Sequence, residues 1–178
     1  FARDDQSRKY LEDLRIETPI FKAPDLTTIA PSDAPTWCEE ESPYVCVVPN
    51  SRMIEEKGGG DKGSYVDFLS QVCERLDQEG AKVLFLLFEA RDRRLLGPVC
   101  EVLGREVRYL EEEDPVRLRG IIGQAQAVVA SRYHALVSAL SQGVFALGTS
   151  WSHKYEGLFK DYGCADLIIS DISNEKDV

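Results

Sequence analysis

Two stretches of the 178-residue sequence place cations and a histidine among turn-forming residues: SRYH at 131–134 and NSR at 50–52. In the first, the β-branched apolar run QAVVA (126–130) stops at Ser131, and a segment with helical spacing follows. Leu136, Ala139, Leu140 and Gly143 repeat at intervals of three and four and read as a core face, while His134, Ser138 and Ser141 fall on another face. If Ser131 caps this helix, Arg132 to His134 form its first turn, where unpaired N–H groups and the positive dipole end attract phosphate or carboxylate. Arg132 adds a planar fork suited to two oxyanions, and His134 adds an imidazole, the side chain whose ordinary titration lies nearest neutrality. That combination is an anion site with an acid or base beside it. The plainer alternative is that Arg132 pairs with a surface carboxylate and His134 is a solvated first-turn residue, because polar helix N-termini are common.

The second stretch is VVPNSRM (47–53). Pro49 ends a strand, Asn50 and Ser51 are turn formers, and Arg52 stands at the strand's end as a second anion ligand. The glycine-rich EEKGGGDKG behind it reads either as a loop that closes over a small ligand or as an ordinary surface loop. A third stretch, GTSWSHKYEGLFKDYG (148–163), sets His153 and Lys154 near a helix start. Lys154 offers a point charge to a phosphate, and Glu156 offers an acid, a base or a sugar ligand. Here too a plain reading competes: Glu156 and Lys160 form an i, i+4 surface pair, and Trp151 seals the loop. The acidic LEEEDP (110–115) imitates a metal site but equally suits a solvated turn before a helix, and no metal is expected. No GxGxxG follows the first strand and no GxxxxGK[ST] occurs, so nothing marks an NAD or ATP site.

The elements that must hold these residues alternate. Short apolar runs at 44–48, 82–88, 106–110, 126–130, 144–148 and 166–170 have the composition of strands covered on both faces. Helical patterns lie between them near 64–79, 92–103, 115–124, 132–142 and 154–162. Gly80, Gly104, Gly143 and Gly163 follow helix ends, and Asp114-Pro115 reads as an N-cap with proline at the first helical position. Six strands with five crossovers predict a Rossmann-like, doubly wound parallel α/β sheet, with ligands beyond the carboxyl ends of its strands. In this order Arg52 stands next to the fourth strand. Before Tyr44 the pattern changes: SRKYLEDL (7–14) reads as a helix, PIFKAPD (19–25) as a strand, and proline-dotted 26–43 as a linker or domain crossing. Residues 1–43 are therefore expected to be the remnant of a preceding domain plus a linker, and 44–178 a single Rossmann-like domain.

With 43% hydrophobic and 29% charged residues the chain is globular in character, and a net charge of -10 gives the wrong long-range field for nucleic acid or anionic lipid. Any anion must be held by local cations. The five cysteines are unpaired in pattern, with Cys46 and Cys73 in apolar settings that predict core positions, and a reducing cytoplasm is expected. No apolar run is long enough to span a membrane, so no integral segment is expected. The chain opens FARDDQS without an initiator methionine and reads as a fragment of something longer.

Taken together, SRYHALVSALSQGV, the following Lys154, Gly157 and Leu158, and VVPNSRM resemble the polysaccharide pyruvyltransferase family, in which an S-R-x-H-A-L helix start, an A-L-x-x-G-V helix end and a K-x-x-G-L element recur in order. ARDDQSRKYLEDL and APDL resemble the passage near the end of that family's N-terminal domain. One departure is Phe145, where members usually have proline after the G-V pair. The resemblance implies a GT-B-like protein of two Rossmann-like domains, with this chain mainly the C-terminal, donor-binding half. It also implies transfer of pyruvate from phosphoenolpyruvate to two hydroxyls of a glycan sugar, forming a cyclic ketal, with phosphoenolpyruvate as co-substrate and no further cofactor. Its acceptor would be a glycan or lipid-linked saccharide, met peripherally at the inner membrane face. On this reading Asn50, Arg52, Ser131, Arg132 and Lys154 bind the donor and His134 is the general acid, with His153 and Glu156 as further candidates. A GT-B glycosyltransferase using a nucleotide sugar and a non-catalytic binding domain are the alternatives.

Overall fold

The computed structural model describes residues 1–14, 17–55, 62–149, 153–169 and 172, with the side chains of residues 62 and 153 excepted. Six strands, β1 (Tyr44–Val48), β2 (Lys82–Leu87), β3 (Tyr109–Glu111), β4 (Ala127–Ala130), β5 (Phe145–Thr149) and β6 (Ile168–Ile169), form one sheet in the order β3-β2-β1-β4-β5-β6. Every pairing is parallel. The order reverses between β1 and β4, which puts the topological switch point where Arg52 was expected to stand. Crossover helices α3 (Lys62–Gln78), α4 (Leu96–Leu103), α5 (Pro115–Gly123), α6 (Tyr133–Ser141) and α7 (His153–Asp161) cover the two faces, and α1 (Asp5–Asp13) and α2 (Trp37–Glu41) precede the sheet.

The strands are apolar because both of their faces are buried. Along β1, Tyr44, Cys46 and Val48 join one core with residues of α5, α6 and α7, while Val47 joins the other with residues of α3 and α4. Cys46 and Cys73 are fully buried, as their apolar settings predict. The punctuation is also as expected. Asp114 Oδ1 accepts the Val116 N–H at 2.8 Å, with Pro115 opening α5, and all four glycines placed after helix ends have positive φ.

Three elements differ from the sequence reading. The third strand occupies 109–111 rather than 106–110, because pairing with β2 begins only where Tyr109 meets Phe85. The start of the sixth run is a 310 turn over Ala165–Leu167, leaving Ile168 and Ile169 as strand, and Ser170 lies outside the described residues. Residues 19–25 form no strand. They contribute one parallel bridge, Lys22 to Ala2.

The segment at 26–43 lies against the crossover helices. Arg119 of α5, 7% exposed, donates to Ser141 Oγ at 2.9 Å and to the Thr28 carbonyl at 3.0 Å, joining the 310 turn Leu26–Ile29 to α5 and α6. Further on, the Asp33 N–H bonds the Val116 carbonyl, and Gly120 lets backbone meet backbone: a Cβ there would stand 2.1 Å from the Asp33 carbonyl oxygen. Cys38 on α2 is fully buried in the same core. The N-terminal residues are thereby fixed beside the start of α6.

Candidate active site

At the carboxyl ends of β1, β4 and β5 a buried hydrogen-bond network fixes the loops. Tyr65, fully buried on α3, donates to Ser131 Oγ at 2.7 Å and accepts the Asn50 N–H at 3.0 Å. Thr149 Oγ1 donates to the same Ser131 oxygen at 2.7 Å. Asn50 Nδ2 and Tyr155 Oη each donate to the Ser131 carbonyl at 3.1 Å, and Asn50 Oδ1 accepts the Arg52 N–H at 3.1 Å. Ser131 and Asn50 thus form the floor of the switch point.

This corrects one expectation. Ser131 does not cap α6: the N-cap position is Arg132, with φ -108° and ψ 124°, and no side chain bonds the first turn. The Ser131 hydroxyl is drawn inward instead, because Tyr65 and Thr149 both aim donors at it. Asn50, expected among the donor ligands, is 4% exposed, and its amide bonds the Ser131 carbonyl and the Arg52 N–H, which holds the Arg52 turn.

Arg132 is also engaged. Its Nε and Nη2 donate to Asp92 Oδ2 at 2.9 and 2.5 Å, and its Nη1 donates to Glu89 Oε1 at 2.5 Å. Asp92 is completely buried and its other oxygen accepts the Ser51 N–H at 2.9 Å, while Glu89 also pairs with Arg91. The hydrogen bond from Arg132 holds the Glu89 carboxyl below its usual value against the opposing effect of burial, and Arg91 adds to it. The expected open fork is therefore corrected: three of the guanidinium's five N–H groups are committed to carboxylates, which leaves two for a ligand and fixes its plane.

His134, on the first turn of α6, has 61% of its side chain exposed. Its Nε2 is 3.9 Å from Asp25 Oδ2, and its ring meets the edge of Tyr133 at 5.5 Å. Asp25 accepts from the Thr27 N–H and hydroxyl on Oδ1 and from Arg3 Nη1 at 3.3 Å on Oδ2. Burial raises the Asp25 carboxyl, but these bonds and the His134 charge outweigh it and carry it below its usual value. Lys154 Nζ and the Arg3 guanidinium lie 5.0 and 4.9 Å from the centre of the Tyr133 ring. Burial pushes the Lys154 ammonium down, and the charges of Arg3 and exposed Arg52 push it further. Glu156 is exposed on α7, and the side chain of His153, like Trp151 and the glycines at 58–60, lies outside the described residues.

The structure therefore brings Arg52, Lys154 and Arg132 to one end of the sheet with His134 at its rim. Sequence reasoning missed Asp92, Glu89, Tyr65 and Thr149, whose roles depend on which loops meet in space. Arg3 and Asp25 were visible in the RD and PD pairs near the N-terminus, but only as a marker of domain position. Among the described residues no group of three His, Cys, Asp or Glu side chains could hold a metal ion, and no helix is long and apolar enough to cross a membrane.

A parallel six-stranded sheet in Rossmann-like order, flanked by helices and carrying cations and a histidine on the loops at one end, defines the class as a Rossmann-like α/β domain. The sequence profile of polysaccharide pyruvyl transferases matches residues 1–153, and the chain belongs to the polysaccharide pyruvyl transferase family. No curated relative matches the sequence. Among solved structures the chain is similar to that of the glycosyl transferase family 9 from Veillonella parvula DSM 2008, at 13% identity and a TM-score of 0.49. The similarity covers 92% of this chain and 55% of that one, so the chain spans about half the length of that structure.

Proposed function

We propose that the chain is the donor-binding part of an enzyme that transfers pyruvate from phosphoenolpyruvate to two hydroxyls of a glycan sugar, forming a cyclic ketal. The observation that carries this reading is the approach of Arg3 and Lys154 to the Tyr133 ring, at 4.9 and 5.0 Å from its centre, with the His134 ring against the same tyrosine and Arg52 and Arg132 on the neighbouring loops, in a chain whose net charge is -10. Phosphoenolpyruvate presents a phosphate and a carboxylate on three carbons and suits such a cluster. Arg52 and Lys154 take the phosphate, and the two uncommitted N–H groups of Arg132 take the carboxylate, with the backbone N–H groups at the start of α6 nearby. Asn50 and Ser131 act through the loops they hold.

In the reaction the methylene carbon of phosphoenolpyruvate takes a proton from His134, leaving an oxocarbenium-like centre at the next carbon. One sugar hydroxyl attacks there, the carbon–oxygen bond to phosphate breaks, and the second hydroxyl closes the ketal. Two hydroxyl protons are released, of which one restores His134 and one leaves with the phosphate. Lys154 stabilises the charge that collects on the departing phosphate. No further cofactor takes part.

The surface of the N-terminal segment supports a GT-B-like whole in which a second domain faces this one. Phe1, Tyr10, Leu14, Phe21, Leu26 and Ile29 are between 58% and 93% exposed, apolar surface that a second domain would cover. The test is turnover in the complete enzyme, followed as phosphate release and as the ketal methyl resonance. His134→Ala is expected to lower turnover by about 100-fold or more while the affinity for phosphoenolpyruvate stays within about threefold; unchanged turnover rejects the role of His134.

A further inference from the structure

Beside the cationic cluster lies a pocket of about 430 Å3 between the N-terminal segment and α7, walled by Arg3, Lys22, Asp25, Tyr133, Asp161 and Tyr162. Its volume falls within the range of small-molecule sites. It shares Arg3 and Lys154 with the cationic cluster, but here carboxylates accompany the cations. Arg3 pairs with Asp25 at 3.3 Å, and Lys22 pairs with Asp161 at 3.1 Å, so the wall holds donors and acceptors side by side. Counting the remaining charged lining residues, Lys154 and Asp4, three cations face three carboxylates and the lining is neutral in sum.

A neutral lining dense in paired donors and acceptors does not select an anion. It suits a guest whose every polar group both gives and accepts a hydrogen bond, which is the chemistry of sugar hydroxyls. Carboxylate–cation pairs can each bridge two neighbouring hydroxyls, and the half-exposed Tyr162 ring offers an apolar face for the C–H side of a pyranose. The pocket also borders the proposed chemistry. Asp25 Oδ2, in its wall, is 3.9 Å from His134 Nε2, and Tyr133, another wall residue, touches the His134 ring.

We propose that this pocket between the N-terminal segment and α7 is the subsite for the acceptor sugar, which it presents to the donor bound on the other side of Tyr133 and Lys154. This rests on the pyruvyl-transfer reading for its role, but binding alone can be tested. Methyl β-galactoside and methyl β-glucoside at millimolar concentration serve as probes in saturation-transfer NMR, with phosphoenolpyruvate affinity measured in parallel by calorimetry. At least one glycoside is expected to receive saturation from the wild-type chain and to lose it about tenfold in Tyr162→Ala and in Asp161→Asn, both partly exposed positions. Phosphoenolpyruvate affinity is expected to stay unchanged in both variants. Absence of transfer to either glycoside, or transfer indifferent to both substitutions, overturns the proposal. If phosphoenolpyruvate fails to bind the wild type while the glycoside signal follows the variants, the pocket stands and the donor assignment falls.

Discussion

The chemistry of this chain turns on which carboxylates stand beside its arginines. Asp92 is buried completely, and one of its oxygens holds Arg132 while the other holds the backbone of the turn that carries Arg52. One anion therefore sets the spacing of two proposed donor ligands. Removing its charge leaves a mostly buried guanidinium short of a partner, which costs about 3 kcal/mol or more. Asp92→Asn is expected to lower stability by that order in chemical denaturation and to weaken phosphoenolpyruvate at least tenfold by calorimetry; full donor affinity in the folded variant contradicts the spacing role. The sequence made Arg52, Arg132, His134 and Lys154 visible, because cations at strand ends stand out in an acidic chain. It did not show that Asp92 and Glu89 would take up the Arg132 fork, since FEARDRR offers several carboxylates and arginines and only the fold selects among them.

The alternation of apolar runs and helical patterns was legible because β1, β2, β4 and β5 lie inside the sheet with helices over its faces and are mostly apolar. The edges were not. The third and sixth strands are short, with partners on one side only, and their limits follow from register with β2 and β5 rather than from composition. The Ser131 cap was misread for a related reason: a serine before a helix satisfies the N-cap pattern, but Tyr65 and Thr149 lie distant in sequence and compete for its oxygen. Packing of the N-terminal segment was likewise hidden, since Gly120 gives no local sign that backbone will lie against it. Gly120→Ala sets a methyl against the Asp33 carbonyl, and a loss of about 1 to 3 kcal/mol in chemical denaturation is expected, with the helix content by circular dichroism retained. An unchanged midpoint contradicts the close approach.

Across the whole molecule the negative charge is uneven, and its response to acid should show where carboxylates are held. Asp25 and Glu89 titrate below their usual values of 3.8 and 4.5 in the folded chain. A carboxylate held down in this way stabilises the fold above its unfolded pKa and loses that contribution as the pH falls through its folded one. Stability is therefore expected to decline from about pH 4.5 downward, and Glu89→Gln, which cannot titrate, should flatten the upper part of that decline in denaturant titrations. An identical slope in the variant contradicts the pairing with Arg132. In an acidic chain the cations at this end of the sheet are where the proposed donor is expected to bind. Calorimetric titration of the chain with phosphoenolpyruvate, beside a panel of nucleotide sugars, tests that point most directly. The account predicts saturable binding of phosphoenolpyruvate alone, weakened at least about tenfold in Arg52→Ala and Lys154→Met. Binding of a nucleotide sugar in its place, or affinity for phosphoenolpyruvate indifferent to both substitutions, would contradict it.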